Sequence, residues 1–295
     1  MSPKITPAVV ESELATPHHG PLSALLTTLP NPRGTIVALH GGGTRARYWD
    51  APHDAGASFM RAATAAGWQV ILVDRPGYGA SRALAEQRLR AADQVAIIED
   101  AVRPHLAEGP VALVAHSLGS IVAIEAGAGR WQGRLDALAL HGVPLAYTEE
   151  HLVNFRAVDV SGSFIRHPGG GRSLDMDSWF GPAGTWDRSV LDHFREVMSA
   201  TPSGEFEDAR MGPQALPGRL AEITVPVQLC VGEHEQSTAP ADLILDVARR
   251  ALAGNPRHEA FIIPGGAHNL SLGGAAASFH QAVLKFLAAA TTQRS

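Results

Sequence analysis

The chain has 295 residues, of which 45% are hydrophobic, and a formal net charge of −5. These values allow one or two domains with a large core. They exclude the basic surface typical of nucleic-acid-binding proteins and of polybasic membrane attachment. The only cysteine, Cys230, lies in the apolar run VQLC, so no internal disulfide can form and we expect a buried small hydrophobic residue.

The N-terminal segment, MSPKITPAVVES, lacks the apolar stretch of a secretion signal. The longest apolar stretch, 111–124, is interrupted by His116, Ser117 and Gly119 and is too short for a membrane span. We therefore expect a cytoplasmic protein with no membrane or nucleic-acid partner, present as a monomer or a homodimer.

Short apolar runs alternate with longer helical patterns. Before residue 30, two apolar segments around an HHGP turn predict an antiparallel hairpin at one sheet edge. The segments that predict buried strands are 35–40, 69–74, 111–115, 135–142, 226–232 and 259–265. The segments that predict helices are 56–67, 90–106, 118–129, 239–254 and 276–290. This alternation predicts an α/β fold, with a mostly parallel, doubly wound sheet covered by helices on both faces.

The alternation stops at residues 147–220, which hold GGG at 169–171, several prolines and a concentration of Phe, Trp and Met. A segment this long cannot be an ordinary connection, since such connections have a median of about 4–6 residues. We therefore predict an inserted, mainly helical cap at 147–220, and a core formed by 1–146 and 221–295. The GGG run is expected to form a flexible loop of the cap.

Polar, reactive or glycine-rich residues follow five of the predicted strands. The motifs are HGGG at 40–43, DRPGYGAS at 74–81, HSLG at 116–119, GEHEQ at 232–236 and PGGAHN at 264–269. Sites in open α/β sheets lie beyond the carboxyl ends of the strands. These motifs therefore hold the candidates for chemistry.

Residues Ala115 to Gly119, AHSLG, place a serine between a predicted strand and a predicted helix. Small residues on both sides of a serine are typical of the nucleophile elbow, a strained turn that projects the serine above the sheet. Backbone N–H groups at such a helix N-terminus can face a developing oxyanion. The alternative is that Ser117 is an ordinary helix N-cap, because serine is favoured there.

A serine hydroxyl is a weak nucleophile, and it needs a base that is itself oriented by an acid. On this kind of sheet the chain order is Ser, then Asp or Glu, then His. Glu235 and His268 follow the last two predicted strands in that order. Glu233 lies nearer its strand and is the competing acid.

With these motifs in this order, the chain resembles the α/β-hydrolase superfamily, in its capped branch of esterase-, thioesterase- and lactonase-like serine hydrolases. The resemblance covers nearly all of the chain outside 147–220. It implies Ser117 as the nucleophile, His268 as the base and Glu235 as the acid, where family members usually have Asp. Dehalogenase and epoxide-hydrolase branches usually carry Asp at the elbow, so Ser117 argues against both.

The resemblance also implies an oxyanion hole made by the N–H groups of Leu118 and Gly42. His40, Trp179 and Phe180 are the candidate substrate-binding residues, although His40 could simply shape its own loop. Aromatic residues of the cap are expected to roof an apolar pocket.

The predicted function is cleavage of a carboxylic ester, thioester or lactone with an apolar portion, through an acyl-enzyme, on a small-molecule acyl substrate. The alternatives are a C–C bond hydrolase with the same triad and a ligand-binding receptor or pseudoenzyme. The 14 histidines include no H-E-x-x-H motif, and no G-x-G-x-x-G follows the first strand. We therefore expect neither a metal nor another cofactor.

Overall fold

The sheet at the centre of the fold places the candidate residues along one edge. The computed structural model describes residues 9–51, 55–166 and 176–292. These residues form an eight-stranded sheet with the order β1-β2-β4-β3-β5-β6-β7-β8. The strands are Val9–Leu14 (β1), Leu22–Thr27 (β2), Thr35–Leu39 (β3), Gln69–Val73 (β4), Val111–His116 (β5), Ala137–His141 (β6), Val227–Gly232 (β7) and His258–Ile263 (β8).

Strands β1 and β2 form the predicted antiparallel hairpin at one edge, and β2 also pairs antiparallel with β4. The remaining strands are parallel, with Leu39 opposite Ala115 and His116 opposite His141. Strands β3 and β5 are buried along their whole length, because a parallel sheet is covered on both faces. The predicted mostly parallel, doubly wound α/β fold is confirmed.

Helices cover both faces of the sheet. They are Phe59–Ala65 (α1), Ala91–Val102 (α2), Leu118–Gly127 (α3), Glu149–Ala157 (α4), Met176–Phe180 (α5), Arg188–Val197 (α6), Ser203–Ala221 (α7), Ala241–Leu252 (α8) and Ala276–Thr291 (α9). Ile36 and Ala38 of β3 pack with α1 and α9, whereas Val37 and Leu39 pack with α2, α3 and α8. Alternate side chains of one strand thus enter opposite cores. None of these described helices combines the length and the apolar character that crossing a membrane requires.

The chain between β6 and β7 contains helices α4 to α7, which fits the expected helical cap. The last of them, α7, contains Pro213 and Pro217 and packs Leu216 and Leu220 into the core on the α3 and α8 side. The boundaries of the cap, 147–220, stay a prediction. The GGG run at 169–171 lies outside the described residues.

The strand order explains how residues far apart in sequence come together. Strands β3, β5, β6, β7 and β8 are consecutive neighbours in the sheet and all parallel. Their carboxyl ends therefore lie along the same edge. The HGGG, HSLG, GEHEQ and PGGAHN motifs follow four of these strands and meet at that edge.

Candidate active site

Ser117 lies at a strained turn between β5 and α3, with φ 51° and ψ −122°. Among the described residues other than glycine, only Arg88 also has a positive φ, and such backbone costs about 1–3 kcal/mol. The turn is held by the N–H of Ser117, which donates to the His141 carbonyl at 2.9 Å. The Ser117 side chain makes no capping hydrogen bond to α3, so the N-cap alternative is not what the structure shows.

The turn depends on a close approach between α3 and the end of β3. A Cβ atom on Gly119 would lie 2.4 Å from the carbonyl oxygen of His40 and 2.7 Å from that of Leu39. These are backbone atoms, which cannot move aside as a flexible side chain could. Gly119, the second small residue of the AHSLG pattern, is therefore required by the close packing of α3 against the end of β3.

His268 connects Ser117 to Glu235. Its Nε2 lies 3.2 Å from Ser117 Oγ, and its Nδ1 lies 2.8 Å from Glu235 Oε2. Because an ionised carboxylate only accepts, we assign the ring proton to Nδ1, which leaves Nε2 free to accept from the Ser117 hydroxyl. Both His268 and Glu235 are buried, with 4% and 2% of their surfaces exposed.

The competing acid, Glu233, points to a different partner. Its Oε2 accepts a hydrogen bond of 2.8 Å from the N–H of Gly265, and its side chain is exposed. The described hydrogen bonds include none between Glu233 and His268. Glu235 is therefore the carboxylate that the fold brings to the imidazole.

Ser237, which is not among the residues predicted from the sequence, supports the same pair. Its N–H and its hydroxyl donate to Glu235 Oε1 at 2.8 and 2.7 Å, and its Oγ lies 2.7 Å from His268 Nδ1. Burial alone would raise the pKa of Glu235, but the imidazole of His268 and the hydrogen bonds from Ser237 outweigh it and lower that pKa. Glu235 is thus held ionised next to the imidazole.

A stack of buried rings lies behind His268. His116 is stacked on Tyr48 and on His141, each with ring centroids 4.6 Å apart, and its centroid is 4.8 Å from that of His268. Burial is the largest cause that holds the pKa of His116 and of His141 well below the ordinary value. Both imidazoles are therefore uncharged, and His116 packs against His268 without placing a second positive charge beside it.

Gly42 and Leu118, the two predicted oxyanion donors, line the same cavity as Ser117. A Cβ atom on Gly42 would lie 2.4 Å from Leu118 Cδ1, so the two residues are in direct contact. Within the described part of the chain, neither backbone N–H has a hydrogen-bond acceptor. Two amides are thus available beside the Ser117 hydroxyl.

The cavity at Ser117 has a volume of about 110 Å³ and is lined largely by residues from the segment between β6 and β7. Trp179 contributes to this lining, and its ring is edge-on to His268 with centroids 5.7 Å apart. The other apolar and aromatic lining residues from this segment are Pro144, Tyr147, Phe155, Ile165, Phe206 and Ala209.

His40 and Phe180, the other two candidate substrate-binding residues, are buried outside this lining. His40 Nδ1 donates to the Gly41 carbonyl at 2.8 Å, and its Nε2 accepts from the N–H of Arg75 at 3.0 Å. Phe180 packs against Phe194 with ring centroids 5.1 Å apart. Both contacts stabilise the surrounding structure: His40 shapes its own loop, and Phe180 packs α5 against α6.

The chain matches the family model described as the alpha/beta hydrolase family over residues 36–282, and it belongs to this family. A thermophilic esterase from Thermogutta terrifontis has a TM-score of 0.64 at 16% identity, with 96% of this chain and 99% of that chain covered. The Cif epoxide hydrolase from Acinetobacter nosocomialis has a TM-score of 0.69 at 17% identity, covering 95% and 89%. A bromoperoxidase from Bacillus anthracis has a TM-score of 0.64 at 19% identity, covering 95% and 100%.

These three neighbours carry different activities on one fold. At such low identities the likeness establishes the fold, and the activity has to be argued from the site. No curated protein matches the chain.

Proposed function

We propose that the protein is a serine hydrolase that cleaves a carboxylic ester, thioester or lactone with an apolar portion. The observation that carries the proposal is the hydrogen-bonded series from Ser117 Oγ to His268 Nε2, at 3.2 Å, and from His268 Nδ1 to Glu235 Oε2, at 2.8 Å. A nucleophile, a base and an orienting acid in this arrangement are the requirement for acyl transfer. The cavity beside them supports the proposal, because it gives a substrate access to the hydroxyl.

In the first half of the reaction, Ser117 Oγ attacks the acyl carbon and His268 Nε2 takes the hydroxyl proton. The tetrahedral oxyanion accepts hydrogen bonds from the N–H groups of Gly42 and Leu118. Glu235 stays ionised and stabilises the imidazolium without taking its proton. The bond to the leaving group then breaks, and His268 delivers its proton to the leaving oxygen or sulfur.

In the second half, water replaces the leaving group. The water oxygen attacks the acyl carbon of the acyl-enzyme while His268 takes a proton from the water. The N–H groups of Gly42 and Leu118 stabilise the second oxyanion. The bond from Ser117 Oγ to the acyl carbon breaks, and the imidazolium returns a proton to Ser117. The products are a carboxylic acid and the free enzyme, and the steps use side chains, two backbone N–H groups and water.

The lining of the cavity at Ser117 is suited to an uncharged acyl group. No Lys, Arg, Asp or Glu is among the described residues that line the cavity at Ser117, whereas aromatic and aliphatic side chains are common. An ionised substrate portion would be desolvated there without a partner, which is costly. A short, apolar acyl chain fits this environment.

Turnover of p-nitrophenyl butyrate by the wild type and by Ser117→Ala tests the proposal. We expect release of p-nitrophenol by the wild type and its loss in the variant. Cleavage of a vinylogous diketone but of no ester would point instead to C–C bond hydrolysis. Tight binding of an acyl ligand with no turnover would point to a receptor, and either result would contradict the proposal.

A further inference from the structure

The peptide between Gly41 and Gly42 is held from the side opposite the cavity. The Gly41 carbonyl oxygen accepts hydrogen bonds from His40 Nδ1 at 2.8 Å, from Thr44 Oγ1 at 3.1 Å and from Arg75 Nη2 at 3.3 Å. In a planar trans peptide the C=O and the following N–H point in opposite directions. The donors that hold the Gly41 carbonyl therefore also set the direction of the Gly42 N–H.

Arg75 is the charged member of this set, and its guanidinium is fully buried. Residues 40–43 are called the oxyanion loop. The Nε of Arg75 donates to the His40 carbonyl at 2.8 Å, so Arg75 holds the successive carbonyls of His40 and Gly41 in this loop. The compensating charge comes from Glu205 of α7, which Arg75 binds through both Nη1 and Nη2. The exposed fractions of the two side chains are 0% and 2%.

Tyr78 provides a second connection from Glu205 to the same loop. Its hydroxyl donates to Glu205 Oε1 and accepts from the N–H of Gly43 at 3.2 Å. The segment before α7 adds a backbone contact, since the N–H of Ser199 donates to the Gly43 carbonyl at 2.8 Å. One carboxylate of the segment between β6 and β7 is thus linked to both flanks of Gly42.

We propose that Glu205 is a positioning residue for the oxyanion hole. It holds Arg75 and Tyr78, which in turn hold Gly41 and Gly43 and aim the N–H of Gly42. Seating of α7 against the core is therefore a condition for oxyanion stabilisation. This inference rests on the proposed hydrolase function, in which Gly42 is an oxyanion donor.

The test compares Glu205→Gln and Tyr78→Phe with the wild type on p-nitrophenyl butyrate. We expect Glu205→Gln to lower kcat about 10- to 100-fold with KM within about twofold, because loss of one well-placed oxyanion donor costs about 10²- to 10³-fold and misalignment costs less. Tyr78→Phe, which removes no charge, should lower kcat about 3- to 10-fold. Inhibition by a butyl trifluoromethyl ketone, whose adduct with Ser117 places an oxyanion in the hole, should weaken by the same factor as kcat.

Glu99 offers a matched control, because it is a buried carboxylate that pairs with Arg130 and Arg134 away from the oxyanion loop. Glu99→Gln should lower the melting temperature without changing kcat or the inhibition constant. If the role of Glu205 were purely structural, Glu205→Gln would behave like Glu99→Gln, with a lower melting temperature and an unchanged kcat and inhibition constant.

Three outcomes contradict the inference, and they can be told apart. Wild-type kcat and inhibition in a folded Glu205→Gln would overturn it while the proposed function stands. If Glu205→Gln does not fold, Tyr78→Phe carries the test, and wild-type kcat in that variant would overturn it. Absence of acyl turnover by the wild type would overturn the proposed function and this inference with it.

Discussion

Glu235 and His268 are 33 positions apart in the chain and are joined by a buried hydrogen bond of 2.8 Å between Oε2 and Nδ1. The second oxygen of Glu235 accepts two hydrogen bonds from Ser237, so neither carboxylate oxygen is left without a donor. This arrangement fixes the orientation of the carboxylate. It also makes Glu235 the residue through which the imidazole is oriented toward Ser117.

The neighbouring carboxylates Glu235 and Glu233 are expected to differ sharply in their effect on activity. Glu235→Gln should lower kcat for p-nitrophenyl butyrate about 10³- to 10⁴-fold, because the amide cannot stabilise the imidazolium and does not fix the tautomer. Glu233→Gln should stay within about twofold of the wild type, because its partner is an exposed loop amide. Equal losses in the two variants would show that the acid has been wrongly assigned.

Alanine substitution at two helical glycines, Gly119 and Gly218, tests whether the nucleophile elbow needs a residue without a side chain at position 119. Helix propensity favours Ala over Gly by about 1 kcal/mol at both Gly119 and Gly218. A Cβ atom on Gly218 would meet nothing within 4 Å, whereas one on Gly119 would overlap the His40 carbonyl.

Gly218→Ala should therefore be neutral or stabilising by up to about 1 kcal/mol. Gly119→Ala should destabilise by about 1–3 kcal/mol and lower kcat at least about tenfold, because the elbow has to shift. Urea unfolding and esterase assays measure both effects. A Gly119→Ala variant as stable and active as Gly218→Ala would contradict the described contact.

The acyl-chain preference should depend on the apolar wall of the cavity. Ala209 lines the cavity and is 2% exposed. The longer side chain of Ala209→Leu would therefore fill part of the cavity, whose volume is about 110 Å³. We expect kcat/KM to fall more for p-nitrophenyl hexanoate than for the acetate, by about tenfold or more. Ala253→Leu, at an exposed position after α8, is the control. The same chain-length profile in the two variants would contradict the placement of Ala209 in the wall of the acyl cavity.

Buried neutral histidines should make the fold sensitive to acid. Burial lowers the pKa of His280 to about 3, and burial together with Arg75 lowers the pKa of His40 to about 3, from 6.5. Because the folded-state pKa is depressed, the unfolded chain binds the extra proton between these values. Stability is therefore lost as pH falls from about 6.5 toward 3, by about 1.4 kcal/mol per pH unit for each such group.

A single substitution isolates one of these protons. His280→Gln keeps a polar group next to Ser271, whose Oγ lies 2.7 Å from His280 Nε2, and it removes one titrating site. The pH slope of the unfolding free energy from urea titrations between about pH 6.5 and 4.5 should then fall by about one proton. An unchanged slope would mean that His280 is not neutral in the folded protein.

The sheet and the motifs at its edge could be predicted because they depend on local patterns. The apolar runs around Ile36 and Leu113 have the length of strands. The AHSLG pattern indicates a turn in which Gly119 has to be small. The assignment of Glu235 over Glu233 could not be made in the same way. Both lie in one five-residue motif, and only the three-dimensional turn shows which carboxylate turns toward His268.

The contributions of Ser237 and Glu205 illustrate what a sequence alone does not reveal. Ser237 lies two positions after Glu235, a spacing suited to a local hydrogen bond, and that signal could have found it. Glu205 lies on a helix without a distinctive pattern, 130 positions from Arg75, and their pairing depends on how α7 packs. A buried arginine in DRPGYGAS would need some carboxylate, but the sequence does not show which one.

The most direct test of the central claim is the site of reaction with an alkyl fluorophosphonate, located by mass spectrometry of the intact protein and of its peptides. Activation of Ser117 by His268 predicts a single adduct on Ser117, loss of p-nitrophenyl butyrate turnover in step with labelling, and labelling slowed by about 10³-fold or more in His268→Gln. An adduct on another residue, or a Ser117→Ala variant that labels and turns over substrate like the wild type, would contradict the account.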